Sequence, residues 1–209
     1  MATLIKREVR TILGIDPGTN YMGYGVIKTG GSKPELQALG ILDMKKGSDG
    51  YEKLKEIFRF TNDLIAQYHP TEFAIEAQFF GKNVQSMLKL GRAQGISIIA
   101  ALEKGLPVAE YAPLKIKQAI TGNGMASKEQ VAAMLKQYLH IKSEEMPDHL
   151  DATDAVAVAL CHHFETNRKP IAGKGFKSWS DFARQNQNRV SKRPSPKDPE
   201  GQEGTNIKK

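Results

Sequence analysis

The chain is poor in the features that would place it outside the ordinary intracellular globular proteins. It has one cysteine, Cys161, and cannot close an internal disulfide; this excludes a disulfide scaffold and fits a reducing cytoplasm. Long apolar runs are missing too. Stretches such as AVAVALC at 155–161 fall far short of the roughly 20 residues a membrane span needs, so no membrane partner is expected. The start, MATLIKREVRTILGID, carries charges where a secretory signal has none. There is no internal repeat and no long low-complexity tract.

What is present is 209 residues, 40% apolar and 25% charged, enough for one sizeable core and a tail. Thirty Lys and Arg against 23 Asp and Glu give a net charge of +7, which points to a polyanionic partner. The charge is uneven. Residues 1–81 are neutral, 82–142 carry +6, 143–165 carry −6, and 166–209 carry +7. The last segment is rich in Pro, Gly, Lys and Asn and cannot bury enough apolar surface to offset the entropy of ordering it. The expected division is a globular domain at 1–165 and a basic, mostly flexible tail at 166–209. A short helix around SWSDFARQ, capped by Ser178 or Ser180, is the one element expected in the tail.

The pattern of the first 165 residues alternates strand and helix signals. TILGID (11–16) reads as a buried strand ending at the turn PGTN, and 11–44 reads as a three-stranded antiparallel meander. Apolar residues at Leu54, Ile57, Phe58, Leu64 and Ile65 predict a helix stopped by Pro70. EFAIEA (72–77) and PVAEYAP (107–113) read as further strands, separated by a helix over 83–105 with internal glycines. Three helices follow: one opened by Pro113, one capped by Ser127, and a mostly buried one over PDHLDATDAVAVALCHHF. The fold expected is α/β, a five-stranded mixed sheet (antiparallel meander plus parallel strands) flanked by helices.

Four carboxylates fall at telling places. Asp16 ends the first strand, Glu76 lies near the end of another, and Asp151 and Asp154 share one face of the last helix. That face is otherwise Ala, Val and Leu, where an unpaired carboxylate is costly. Three have a structural reading when taken singly: Asp16 as a turn residue, Glu76 on an edge-strand surface, Asp151 as a helix cap; Asp154, between Thr153 and Ala155, is harder to explain as cap or surface. Converging carboxylates repel, so the arrangement calls for cations between them. Carboxylate oxygens suit Mg²⁺ or Mn²⁺ rather than zinc, and two such ions could clamp the attacking and leaving oxygens of an in-line phosphoryl displacement. His140, His149, His162 and His163 form no zinc pattern with Cys161, for which packing is expected. Glycines 14, 18, 23 and 25 are expected to permit turns and close packing around Asp16 rather than to form a nucleotide loop.

The segments GIDPGTNYMGYGV, AIEAQFFGKNVQSMLKLGRAQG, AEYAPLKIKQAITGNGMASKEQV and PDHLDATDAVAVALCHHF, in this order and spacing, resemble the RuvC family of Holliday-junction resolvases. The resemblance runs from about Thr11 to Phe164. It implies a ribonuclease H-like fold and a homodimeric, Mg²⁺-dependent endonuclease that resolves four-way DNA junctions in recombination and repair. By that resemblance paired nicks on opposing strands leave 5′-phosphate and 3′-hydroxyl ends, with two Mg²⁺ per active site for which Mn²⁺ substitutes. Asp16, Glu76, Asp151 and Asp154 match the family's catalytic and metal-binding positions. Phe79 matches an aromatic implicated in opening junction bases, and Lys117 and Lys128 match lysines required for DNA binding and catalysis. Lys82 is a further DNA-contact candidate beside Phe79, while Phe80 and His149 are left without a role. A branch-migration motor complex is implied as a partner by resemblance alone.

Three other functions share some of these features. The IDPGT turn is also similar to the first phosphate loop of actin/hexokinase-type ATPases, but 165 globular residues leave no room for the duplicated domain those need. Another ribonuclease H-like nuclease, acting on RNA–DNA hybrid or in transposition, would keep the carboxylates. A junction-binding protein without catalysis would not need all four.

Overall fold

In the computed structural model, residues 8–31, 33–44, 49–78, 83–141 and 150–167 are described. By its internal contacts the chain divides into Met1–Arg168 and Lys169–Lys209, and every described residue belongs to the first unit. Strands β1 (Arg10–Asp16), β2 (Tyr21–Thr29) and β3 (Glu35–Asp43) form the antiparallel meander. Helix α1 (Gly50–Tyr68) leads to β4 (Glu72–Glu76), and α2 (Val84–Glu103) leads to β5 (Val108–Tyr111). Helices α3 (Pro113–Thr121), α4 (Lys128–Leu139) and α5 (Leu150–Asn167) complete the order. The sheet runs β3-β2-β1-β4-β5, with β4 parallel to both β1 and β5. This is the five-stranded mixed sheet that the sequence pattern predicts.

Alternation along β1 divides the core into two layers. Leu13 and Ile15 point into a cluster with Met22, Phe73 and Ile75, closed by Ile57 and Leu64 of α1 and Ala93 and Ala101 of α2. Ile12 points the other way, into a cluster with Ala74 and the middle of α5, closed by Ile116 and Ile120 of α3 and Val131 and Leu135 of α4. Helix α5 is thus covered on both sides, by the sheet and by α3 and α4. Its unbroken burial from Ala155 to Cys161 follows from that position.

The seat of α5 on the sheet depends on glycine. A Cβ at Gly14 would lie 2.3 Å from the Ala155 carbonyl oxygen, and one at Gly23 would lie 2.0 Å from the Asp151 carbonyl oxygen. At Gly25 it would lie 2.5 Å from Val156 Cγ2. The helix backbone therefore lies directly on β1 and β2, where any side chain would hold it off. This approach brings the start of α5 down onto the end of β1.

Candidate active site

Asp16 is the last residue of β1 and Glu76 the last of β4. These strands are parallel neighbours paired Ile15↔Ile75, so both carboxylates leave the same end of the sheet. Asp151 lies within the first turn of α5, and Asp154 follows one turn later on the same face. One oxygen each from Asp16, Asp151 and Asp154 lie within 4.8 Å of one another. Glu76 stands outside this tight trio but shares its field. Lys128, the first residue of α4, reaches in from the side. Its Nζ donates to Asp154 Oδ2 at 2.5 Å and lies 3.7 Å from Asp151 Oδ1. A capping box between Ser127 and Gln130 fixes the start of that helix and so the direction from which the lysine enters.

The electrostatics express crowding. Burial pushes the Asp16 carboxyl well above the usual range, and the charges of Glu76, Asp154 and Asp151 add to this against the opposing pull of Lys128. Glu76 is pushed up to about 7, by burial first and by Asp154 second, with Lys128 and Lys117 working against it. Burial works against the charge on Lys128, but its hydrogen bond to Asp154 and the charges of Asp154, Asp16 and Asp151 prevail and hold its pKa above the usual lysine range. A single ammonium does not balance four carboxylates, and holding all four ionised at neutral pH takes added positive charge. The donor set is oxygen only, converging and partly open to solvent. That chemistry fits a hard divalent cation with retained waters.

The structure brings together Asp16, Glu76, Asp151, Asp154 and Lys128. Lys117, on α3, acts on Glu76 through its charge, and its ammonium makes no hydrogen bond or ion pair among the described residues. Phe79, Phe80, Lys82 and His149 lie outside the described residues, as does the helix expected around SWSDFARQ. Cys161 is fully buried in the α5 core.

One set of polar residues was not singled out as a unit from the sequence. His162 of α5 faces Tyr111 and Glu72, with Nδ1 2.7 Å from the Tyr111 hydroxyl and Nε2 2.6 Å from Glu72 Oε2. Arg10 closes the chain on Glu72 at 3.2 Å and also donates to Thr166. This network clamps α5 to β1, β4 and β5, and Tyr111 is the register partner of Glu76. Burial, with added repulsion from Cys161, Glu165 and Glu72, pushes the Tyr111 hydroxyl up to about 12, so it stays protonated. Its members are scattered in sequence, with 156 positions between Arg10 and Thr166 and with Glu72, Tyr111 and His162 in between, and no local spacing announces them.

The chain matches the family model described as "Crossover junction endodeoxyribonuclease RuvC" over residues 12–162. It is 55% identical over 181 residues to a curated protein of that name from Bacteroides fragilis, covering 87% of this chain and 96% of that one. A protein of the same name from Porphyromonas gingivalis is 53% identical over 87% of this chain and 97% of its own. Among solved structures, Thermus thermophilus RuvC in complex with a Holliday junction substrate superposes with a TM-score of 0.69 at 34% identity. That match covers 75% of this chain and 94% of the other. A yeast mitochondrial Holliday junction resolvase, at 14% identity and a TM-score of 0.52 over 74% of this chain and 83% of its own, shares the fold.

Proposed function

This chain belongs to the crossover junction endodeoxyribonuclease RuvC family, and from that premise we propose that it resolves four-way DNA junctions by paired phosphodiester hydrolysis at the carboxylate cluster. The observation that carries the reading is the convergence of Asp16, Asp151 and Asp154 within 4.8 Å, with Glu76 beside them. A protein that only bound junctions would gain nothing from this costly grouping of like charges.

In this reading Asp16, Glu76, Asp151 and Asp154 hold a pair of Mg²⁺ ions, for which Mn²⁺ substitutes. When bound, such ions supply a polarised water and neutralise charge building on the phosphate. The protein's own part is placement. Asp16 on the rigid end of β1 sets the centre of the site, and the first turn of α5 sets its opposite wall. Lys128 presents its ammonium to the phosphate oxygens from the edge of the cluster, and Lys117 adds positive charge on the Glu76 side. In the overall change a water oxygen bonds to phosphorus, the P–O3′ bond breaks with its electron pair left on O3′, and O3′ takes up a proton in place of the one the water gives up. The products are a 5′-phosphate and a 3′-hydroxyl. Phe79 and Lys82 belong to the proposal as junction contacts on sequence grounds.

Paired nicks call for two active sites, and α2 offers a surface that suits a second copy. Its core side carries Ala93, Ser97, Ala100 and Ala101. Its opposite side carries Val84, Leu88, Gly91, Gly95, Ile99 and Leu102, all exposed. This stripe reads nearly the same in both directions about Ala93, with glycines at the centre and large apolar residues outside. A helix packed antiparallel on its own copy needs that symmetry, since residue i meets j and j meets i. We take α2 to form the centre of the homodimer.

Residues 1–165 act as the nuclease domain in this reading, and 166–209, carrying +7, add non-specific attraction to DNA. No helix among the described residues is long and apolar enough to cross a membrane, and the proposed location is the cytoplasm. A branch-migration motor is a proposed partner on family grounds alone. The test is cleavage of a mobile synthetic four-way junction with Mg²⁺, mapping nicks on all four strands. Symmetric paired nicks that vanish in Asp16→Asn, while junction binding persists, are expected. Uncut junctions with normal binding would leave a binding protein instead.

A further inference from the structure

On the face of the sheet away from α5, the loop after Asp16 meets α1 and α2 around a cavity of about 350 Å³. Its floor is apolar, made by Met44, Ile57 and Ala93, which are almost fully buried. Its walls carry three cations, Lys53, Lys89 and Arg92, against one carboxylate, Asp49 at the start of α1. Lys53 is a strut rather than a free charge: its Nζ donates to the Thr19 carbonyl at 2.9 Å and to Asn20 Oδ1 at 3.1 Å, tying α1 to the loop. Lys89 and Arg92, one turn apart on α2, are exposed and make no hydrogen bond or ion pair among the described residues. On the α1 side Tyr51 is 75% exposed, a large aromatic in open solvent.

An apolar floor, two unpaired cations and an exposed aromatic ring match the parts of one chemical unit. A phosphate pairs with a lysine and an arginine, an aromatic base stacks on a tyrosine, and a sugar tolerates an apolar floor. The volume is at the small end of ligand pockets, which run from about 300 Å³ upward, and suits one nucleotide better than a duplex. The position selects its source. Thr19 and Asn20 follow Asp16 by three and four residues, so the cavity wall lies within about 14 Å of the carboxylate cluster along the chain. We propose that this cavity seats one unpaired nucleotide of a DNA strand passing the active site, its phosphate on Lys89 and Arg92 and its base on Tyr51. The inference rests on the reading of the protein as a junction nuclease and adds a contact site to it.

The test uses the full chain and a synthetic four-way junction without divalent cations. Anisotropy titrations over a range of NaCl concentrations compare wild type, Lys89→Ala, Arg92→Ala and the double variant, with thermal melts checking folding. Each single variant should bind several-fold more weakly at moderate salt. Each should also lower the slope of log K against log salt by about 0.7, the value per phosphate on a single strand. Tyr51→Trp, in a Trp179→Phe background, should be quenched when a junction with unpaired bases at its crossover is added. Unchanged affinity and slope in the double variant would overturn the proposal. So would quenching by millimolar deoxynucleoside monophosphate but not by the junction, which would make this a site for free nucleotides. A wild type that binds junctions and cuts them, with silent variants, removes this site alone; a wild type that binds no junction removes the parent reading and this site with it.

Discussion

Glu76→Gln should stabilise the protein in EDTA at pH 8 and lose that advantage on acidification. The glutamate carboxyl titrates near 7 in the folded chain against 4.5 for an ordinary glutamate, through burial and the neighbouring Asp154. The folded state therefore holds this proton more tightly than the unfolded state. Its contribution to stability is fully present below pH 4.5 and is lost as pH rises through 7. The difference between 4.5 and about 7, at about 1.36 kcal/mol per pH unit, sets an upper bound of roughly 3 kcal/mol. Glutamine imitates the protonated acid at every pH, so the variant keeps what the wild type loses. Urea unfolding at pH 5, 6.5 and 8, with EDTA throughout, reads the difference directly. We expect the variant to lead by 1–3 kcal/mol at pH 8, and the two curves to approach each other by pH 5. Adding Mg²⁺ at pH 8 should reverse the ranking, because binding to the folded state stabilises only the chain that keeps its ligands. A wild type as stable as the variant at pH 8 in EDTA, or a gap independent of pH, would refute the claim that the cluster is held together against its own repulsion.

Four further outcomes test other parts of the structure. Gly23→Ala puts a methyl 2.0 Å from the Asp151 carbonyl oxygen; the overpacking should cost about 1–3 kcal/mol and reduce cleavage more than junction binding, measured by melts, nicking and anisotropy on the same preparation. Tyr111→Phe removes the hydroxyl that hydrogen-bonds His162 Nδ1 at 2.7 Å and should cost about 1–3 kcal/mol in urea unfolding, whereas an unchanged midpoint would show that the network clamps nothing. Lys128→Met should slow nicking about 10²–10³-fold while junction affinity changes much less, as single-turnover assays would show. Deletion of 168–209, which keeps Thr166 and the whole of α5, removes +7 of charge and should weaken binding at low salt more than it alters the preference for junction over linear duplex; collapse of that preference would make the segment a recognition element.

The sheet was legible because each strand sits between strong punctuation. PGTN after Asp16, the Gly-Gly turn after Thr29 and Pro70 after α1 mark ends that the structure keeps. Helix α5 was legible as buried from its composition, but not why it is buried all round, since the cover from α3 and α4 is made by residues far from it in sequence. The carboxylates could be picked out because each stands at the end of an apolar element, where an unpaired charge needs a reason. The position of Lys128 against Asp154 could not, because 26 residues separate them. Nor could the pairing of Glu72 with His162, 90 residues apart. Local pattern reveals which residues are out of place in their own element and stays silent on which element will come to meet them.

The glycines join these two kinds of information. Gly14 and Gly23 read from the sequence as positions that permit close packing, and the structure supplies the partner, the backbone of α5 at Ala155 and Asp151. The helix residues that press on these glycines include Asp151 itself and the immediate neighbour of Asp154. The same approach that packs the core therefore sets the distance between the carboxylates of α5 and Asp16. If a side chain held the helix off by an ångström or two, the trio that now fits within 4.8 Å would widen, and oxygen ligands at about 2.0–2.6 Å from a divalent ion could no longer be shared. Packing and metal geometry are one constraint here. A glycine substitution at this seam should accordingly lose metal-dependent thermal stabilisation out of proportion to its loss of stability in EDTA.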